Sequence, residues 1–193
     1  MEEILTCERN LFLWINRSHT PFLDAVLWPF SGMMAWCPPL LVLLYFYLKR
    51  RKEWIPVSLT AGLIFVLCCV VSALLFKPAF ARFRPTAHPL FMESVVLLRD
   101  YRADGVYGFI SGHAASAFGY AVLSLLQVKN RIYTLVILLW AFLMGYSRIY
   151  LGAHFISDVL GGLVAGSLLG WAVYGAYRYA VQHAFFMKNS DRQ

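Results

Sequence analysis

Residues 54–76 read WIPVSLTAGLIFVLCCVVSALLF, 23 residues without a charged side chain. Roughly 20 apolar residues are enough for a helix to cross about 30 Å of hydrocarbon. Basic residues bound this stretch, with Lys49-Arg50-Arg51-Lys52 before it and Lys77 after it. The whole chain has 193 residues, of which 60% are hydrophobic and only 14% charged. These values predict a membrane protein, and they exclude a disordered chain or a disulfide-stapled secreted scaffold.

Four further segments are apolar enough to cross a membrane if their polar ends complete the crossing. The five predicted spans are 25–48, 54–76, 110–128, 132–150 and 158–178. In residues 1–20, apolar side chains recur at helical spacing but are interrupted by Glu8 and Arg9, which is typical of an amphipathic helix in the membrane interface. We therefore predict an all-α fold, a polytopic membrane helical bundle that forms a single domain over 1–193, with an extracytoplasmic loop at 77–109.

The basic residues predict the orientation of this bundle. The net charge is +7, and short basic segments join the first span to the second and the third to the fourth. Loops rich in lysine and arginine face the cytoplasm. We expect the N-terminus and the 77–109 loop to lie outside, in a bacterial inner membrane.

Three glycines of the last span, Gly162, Gly166 and Gly170, form a stripe at four-residue spacing. Such stripes allow two helices to approach closely. The preferred interpretation is packing against another helix of the same chain, and the alternative is a homodimer through the stripe.

Polar residues form three clusters at the outer ends of the spans. The first contains Lys77 and Arg84, which either extend to lipid headgroups or bind an anion. Arg82, Arg99 and Arg102 are given no role beyond steering an anionic headgroup or contacting solvent.

The second cluster is Ser111-Gly112-His113, at the start of the third span. Ser111 is predicted to begin a helix, and the N–H groups of a helix N-terminus can bind an anion. The alternative is a simple helix cap followed by a histidine in the interface.

The third cluster contains Arg148, His154 and Asp158. On a helix, residues four apart share a face, so the carboxylate can fix one imidazole nitrogen and leave the other free to attack. A purely structural His–Asp pair is the other interpretation. Together, the cations, the helix N-terminus and the two histidines suit phosphoryl transfer through a histidine.

The spacing of these residues resembles the three signatures of the type-2 phosphatidic acid phosphatase superfamily, the lipid phosphate phosphatases, whose fold is shared with vanadium haloperoxidases. The matching patterns are Lys-x6-Arg-Pro from Lys77, Ser-Gly-His from Ser111, and Ser-Arg-x5-His-x3-Asp from Ser147. One departure is Ile110, which stands where the family usually has proline.

The resemblance implies the following roles. His154 attacks phosphorus and becomes a phosphohistidine, Asp158 orients it, and His113 protonates the leaving oxygen. The phosphate is held by five groups: Lys77, Arg84, Ser111, Gly112 and Arg148. The family uses no metal or other cofactor, and a zinc site made from the two histidines and the aspartate is the competing interpretation.

The expected partners are a lipid phosphate and the bilayer, without nucleic acid. The substrate stays open between a polyprenyl diphosphate, lipid A and a glycerophospholipid phosphate. Phosphotransfer to an alcohol acceptor and a non-catalytic lipid-binding relative are the functional alternatives.

Overall fold

The computed structural model describes the backbone of residues 2–50 and 52–190. Most of this backbone is helical, and the described residues contain no strand apart from one isolated bridge between Phe83 and Tyr107. The predicted all-α class is confirmed. The helices are α1 (Glu2–Asn16), α2 (Pro21–Leu27), α3 (Cys37–Lys49), α4 (Trp54–Val70), α5 (Lys77–Phe80), α6 (Gly112–Val128), α7 (Arg131–Tyr150) and α8 (Ile156–Ser190).

Three helical segments in the described part of the chain are long and apolar enough to cross a membrane: Trp54–Phe80, Arg131–Tyr150 and Ile156–His183. The region of the first predicted span, 25–48, is divided between two helical segments, Pro21–Ser31 and Met34–Lys49, which meet at an angle of 80°. Pro29 and the extended backbone of Gly32 lie at this break. Because proline lacks an N–H group, it interrupts the helical hydrogen bonds that the apolar composition alone would allow.

The segment Trp54–Phe80 passes through a π-helical turn at Val71–Phe76 before it ends in α5. Such turns change which side chains share a helix face, and they are frequent at functional sites. Within the turn, the buried hydroxyl of Ser72 donates to the carbonyl oxygen of Ile110 at 3.0 Å. This bond joins the end of α4 to the residues that precede α6 and brings Lys77 close to them.

α6 is the central helix, packed against α4, α7 and α8. The glycine stripe of α8 lies against it: a Cβ atom at Gly166 would lie 2.1 Å from the carbonyl oxygen of Ala115, and one at Gly170 would lie 2.3 Å from that of Gly119. Gly162 meets the start of α6 in the same way. The stripe therefore packs against α6 within the chain, as the preferred interpretation of the sequence predicted.

α1 is docked on the end of the bundle where α7 ends and α8 begins. Phe12 is fully buried, with its ring centre 5.7 Å from that of Phe91 and 5.3 Å from that of Phe155. The buried amide of Asn16 donates to the carbonyl oxygens of Tyr150 and Val96, at 2.9 and 3.0 Å. The location of α1 in the membrane interface stays a prediction, but the contacts of Phe12 and Asn16 make α1 an integral part of this end of the bundle.

Candidate active site

His154 and Asp158 flank the start of α8. Asp158 lies in the first turn, where its Oδ2 accepts the backbone N–H of Phe155 at 3.0 Å and lies 3.4 Å from Nδ1 of His154. A carboxylate at this position satisfies an N–H group that the helix leaves free, and it is favoured by the helix dipole. Because the imidazole of His154 is paired with the fully buried Asp158 through Nδ1, Nε2 is the nitrogen that points away from the carboxylate.

Nε2 of His154 faces a cation. It lies 2.7 Å from Nη1 of Arg84, and the same Nη1 donates to the carbonyl oxygen of Ala153 at 3.0 Å. Burial, with a smaller contribution from Arg84, lowers the pKa of His154 to about 4, although Asp158 acts in the opposite direction. The imidazole is therefore neutral at pH 7, with a lone pair on Nε2.

Arg84 is held by its backbone as well as by its side chain. Its N–H donates to the carbonyl oxygen of Val106 at 2.9 Å, and the N–H of Gly108 donates to that of Arg82 at 2.8 Å, so the two segments of the loop run side by side. The guanidinium is buried, and its Nε has no hydrogen-bond partner among the residues that the structure describes. A buried, unpaired donor on a cation is suited to an anionic ligand.

A cavity of about 450 Å³ is lined by both His154 and Arg84. Six of the eight predicted site residues line this polar cavity: Lys77, Arg84, Gly112, His113, Arg148 and His154. A seventh, Asp158, lies behind His154. The three separate sequence clusters thus meet at one site, which contains both histidines and four cations, since Arg102 lines the cavity together with Lys77, Arg84 and Arg148.

Ser111, a predicted phosphate ligand, is placed differently. It is fully buried and is not among the residues that line the cavity. Its Oγ accepts the N–H of Ala114 at 3.4 Å, while its own N–H donates to the carbonyl oxygen of Asp158 at 2.9 Å. In this arrangement Ser111 caps α6 and ties it to the start of α8, which is the alternative that the sequence left open.

Arg148 is fixed by groups from three parts of the chain. Its Nε donates to the hydroxyl of Ser147 at 3.2 Å, its Nη1 to the hydroxyl of Tyr101 at 3.1 Å, and its Nη2 to the carbonyl oxygen of Phe30. Only 1% of the residue is exposed. A guanidinium held so firmly keeps its position when a phosphate arrives, which lowers the entropic cost of binding.

His113 is the second residue of α6, and its side chain is exposed to the cavity. Its ring stacks near that of Trp36, with the ring centres 6.2 Å apart. Among the described residues, no three histidine, cysteine, aspartate or glutamate side chains are grouped so that they could hold a metal ion.

Comparison with known proteins identifies the family. The model of the PAP2 superfamily matches residues 53–182, which contain all three motifs. The chain belongs to the PAP2 superfamily. The family match confirms the resemblance to the type-2 phosphatidic acid phosphatases that was predicted from the three motifs.

Two curated relatives of this PAP2 chain are lipid A 4'-phosphatases. That of Porphyromonas gingivalis is 40% identical over 93% of this chain and 77% of the relative, and that of Bacteroides thetaiotaomicron is 30% identical over 90% and 78%. The crystal structure of Aquifex aeolicus LpxE is similar with a TM-score of 0.63 and 30% identity, over 85% of this chain and 92% of that one. These similarities confirm the predictions that the protein is an integral membrane protein and a lipid phosphatase.

Sequence reasoning missed three residues near the Asp158–His154 pair of this PAP2 site: Arg82, its partner Glu8, and Gly108. Arg82, which was given no site role, forms an ion pair with Asp158 at 2.9 Å, and Glu8 forms one with Arg82 at 2.6 Å. A Cβ atom on Gly108 would lie 2.9 Å from Oδ2 of Asp158. The motif itself signals Arg82, because that residue lies between Lys77 and Arg84, but nothing in the sequence signals its partner Glu8.

Proposed function

We propose that this PAP2 enzyme removes a phosphate group from a lipid A-type glycolipid at the extracytoplasmic side of the membrane, through a phosphohistidine on His154. One observation carries the mechanism. The neutral His154 lines the polar cavity, with its Nε2 beside Arg84 and its Nδ1 bonded to Asp158. This is the arrangement that an imidazole nucleophile needs.

In the first step, the lone pair of Nε2 forms a bond to phosphorus, and the bond from phosphorus to the lipid oxygen breaks. His113 donates a proton to that oxygen, so that it leaves as a neutral hydroxyl. The side chains of Lys77, Arg84 and Arg148 neutralise the charge on the phosphate oxygens, which is the main contribution a protein makes to phosphoryl transfer.

In the second step, water attacks phosphorus and the bond from phosphorus to Nε2 breaks. His113, now neutral, accepts a proton from the water. Inorganic phosphate leaves, and His154 returns to its neutral form. Asp158 stabilises the positive charge that the imidazole carries between the two steps.

A second cavity, of about 380 Å³, supports a lipid substrate. It shares Trp36, Lys77, Gly112 and His113 with the polar cavity and continues between α4 and α6 along apolar residues such as Phe65 and Ala73. A phosphate in the polar cavity can therefore remain attached to a tail that lies along the bundle and reaches hydrocarbon from the side.

The proposed substrate class is supported by similarity to the two lipid A 4'-phosphatases, which align with nearly the whole chain. These relatives favour hydrolysis over transfer to an alcohol. They also favour lipid A over the polyprenyl diphosphates and glycerophospholipid phosphates that the motifs leave open.

The proposed orientation is supported by the residues that lie at the two ends of α4 and α6. α4 leads from the basic segment at Lys52 towards Lys77, and α6 leads from His113 to Lys129. The polar cavity and the basic loops therefore lie at opposite ends of the bundle. With the basic loops in the cytoplasm, the cavity faces outwards.

The test is phosphate release by the purified protein in detergent, with a chelator present. The substrates are lipid A, polyprenyl diphosphate, phosphatidylglycerol phosphate and phosphatidate. We expect the highest kcat/KM for lipid A, and inhibition by vanadate. His154→Ala is expected to abolish turnover, whereas the matched control His183→Ala, at an exposed position of α8, retains it.

Each part of the proposal has a contrary outcome. Folded wild-type protein that releases phosphate from none of these lipids overturns the function. Turnover by His154→Ala at the wild-type rate overturns the nucleophile. A kcat/KM for polyprenyl diphosphate or a glycerophospholipid phosphate above that for lipid A overturns the substrate class alone.

A further inference from the structure

Arg82 connects the catalytic carboxylate to the N-terminal helix. Its Nη1 donates to Oδ1 of Asp158 at 2.9 Å and to the hydroxyl of Ser157, and its Nη2 donates to Oε2 of Glu8 at 2.6 Å. The guanidinium also lies 4.8 Å from the ring centre of Phe155. Four residues on two helices and the segment between α7 and α8 thus hold Arg82 in one orientation.

Glu8 uses both of its carboxylate oxygens in this network. While Oε2 accepts from Arg82, Oε1 accepts the backbone N–H of Ser157 at 2.8 Å and its hydroxyl at 2.6 Å. Ser157 lies in the first turn of α8, where a carboxylate that accepts a free N–H group stabilises the helix. Glu8 therefore fixes Arg82 and the beginning of α8 at the same time.

The two contacts leave Asp158 no freedom to rotate. Oδ2 is directed to the N–H of Phe155 and to His154, and Oδ1 is directed to Arg82. The carboxylate is fully buried, and a buried charge without its partner is strongly destabilised. The orientation of His154 thus depends on Asp158, and that of Asp158 depends on Arg82.

We infer that Arg82 and Glu8 are positioning residues for the reaction: they fix Asp158, which holds His154 so that Nε2 faces the phosphate. The inference rests on the proposed role of His154 as nucleophile. It gives α1 a part in catalysis, although α1 lies outside all three motifs and outside the residues that the family model matches.

The charges of the network support this role. Glu8 and Asp158 each carry one negative charge and Arg82 carries one positive charge, so a net charge of −1 faces the imidazole from behind. When Nε2 attacks phosphorus, the imidazole becomes positively charged, and a fixed negative charge next to it stabilises that state. Removal of Glu8 takes away this excess charge as well as a contact of Arg82.

The experiment compares three variants of the full chain in detergent, Arg82→Gln, Glu8→Gln and the control Arg9→Gln. Arg9 is adjacent to Glu8 in α1, but its guanidinium contacts His88 and the ring of Phe91, and among the described residues it forms no hydrogen bond to the network. We expect kcat to fall about 10- to 100-fold in Arg82→Gln and about tenfold in Glu8→Gln, by analogy with residues that orient catalytic ligands. KM is expected to stay within threefold, because the phosphate contacts are intact, and Arg9→Gln is expected to match wild type.

Two further variants separate positioning from folding. Arg82→Lys retains the charge but has a single donor nitrogen in place of the planar guanidinium, and we expect it to recover part of the kcat lost in Arg82→Gln. In the double variant Glu8→Gln/Arg82→Gln, the fold-loss in kcat is expected to be smaller than the product of the two single losses, because residues that act as a unit are not additive. Thermal unfolding of each variant shows how much folded protein is present.

Unchanged kcat in folded Glu8→Gln and Arg82→Gln overturns the positioning role and leaves the proposed function intact. Loss of thermal stability without loss of kcat per folded molecule also overturns it, since that is the result of a purely structural ion pair. If Arg82→Gln does not fold, Glu8→Gln and Arg82→Lys decide the question by the same criteria. Folded wild-type protein without phosphatase activity overturns the proposed function, and the positioning role with it.

Discussion

Nε2 of His154 and Nη1 of Arg84 lie 2.7 Å apart at the wall of the polar cavity. Since arginine stays protonated in proteins, it is the donor and the imidazole nitrogen is the acceptor. The nucleophile and a phosphate-binding cation are thus in direct contact. We expect Arg84 to exchange this contact for a phosphate oxygen as phosphorus approaches Nε2, with its unpaired Nε as a further donor.

Arg84→Lys tests this exchange. A lysine keeps the positive charge but loses the planar set of donors that can bond to phosphate, Ala153 and His154 together. We expect kcat/KM to fall about 100- to 1000-fold, the usual cost of removing one donor to transition-state charge. Steady-state kinetics with lipid A measure the effect, with Arg178→Lys at an exposed position of α8 as the control. Wild-type kcat/KM in Arg84→Lys would contradict direct phosphate binding by Arg84.

The protonation of His154 is a second prediction. Its pKa of about 4 lies below the ordinary histidine value of about 6.5, because the ring is buried beside Arg84. An unfolded chain takes up the proton as the pH falls through about 6.5, and the folded chain resists until about 4. His154 therefore favours the folded state fully above pH 6.5, and this stability is lost progressively as the pH falls to about 4.

NMR spectra of protein with 13C-labelled histidine, recorded in detergent without phosphate, measure this pKa directly. The signal missing from His154→Gln identifies the residue. A titration midpoint near the ordinary value would contradict the prediction. So would a thermal midpoint that falls equally with pH in wild type and in His154→Gln.

Gly108→Ala is expected to reduce kcat about 10- to 100-fold. The added methyl group would lie 2.9 Å from Oδ2 of Asp158, 3.2 Å from Cγ of Arg84 and 3.5 Å from Nδ1 of His154. A shift of about 1 Å in a catalytic group can cost a factor of about 100. Comparison of kcat with that of Gly175→Ala, where nothing lies within 4 Å of the added methyl, measures the effect. Equal values in the two variants would show that the pair tolerates the displacement.

Gly166→Ala is expected to destabilise the bundle. A methyl group there would meet the backbone of Ala115 at 2.1 Å, so α6 and α8 must separate. Overpacking of this kind costs about 1–3 kcal/mol, which lowers the thermal midpoint by several degrees in a chain of this size. Gly175→Ala, on the same helix, is the control and should be as stable as wild type, because alanine favours helix and has room there. A Gly166→Ala variant as stable as the control would contradict the close packing of α6 on α8.

The sequence predicted much of this site because the chemistry lies in residue types at fixed local spacing. His154 and Asp158 are four residues apart, so a helix start brings them together without knowledge of the rest of the fold. Arg84 and His113 could be assigned to the same face of the membrane from span topology alone. The structure adds that they line one cavity.

What the sequence missed depends on contacts between distant segments. Glu8 and Arg82 are 74 residues apart, and Tyr101 and Arg148 are 47 apart, so no local pattern links either pair. Ser111 illustrates a different difficulty. A hydroxyl at a helix start can cap the helix or bind a ligand, and only the packing of α6 against α8 decides between these roles. The break within 25–48 was signalled by Pro29 and Gly32 but was outweighed by the uniform apolar composition.

The docking of α1 on α7 and α8 has a practical consequence for work with the protein. A shortened version that began at Pro21 would keep every motif, every predicted span and every residue of the cavity wall. It would nevertheless lack the Glu8 carboxylate that accepts from Arg82, together with the Asn16 amide bonded to Tyr150. Motif content is therefore a poor guide to the minimal active fragment of this phosphatase, and expression designs should leave the first sixteen positions as they are.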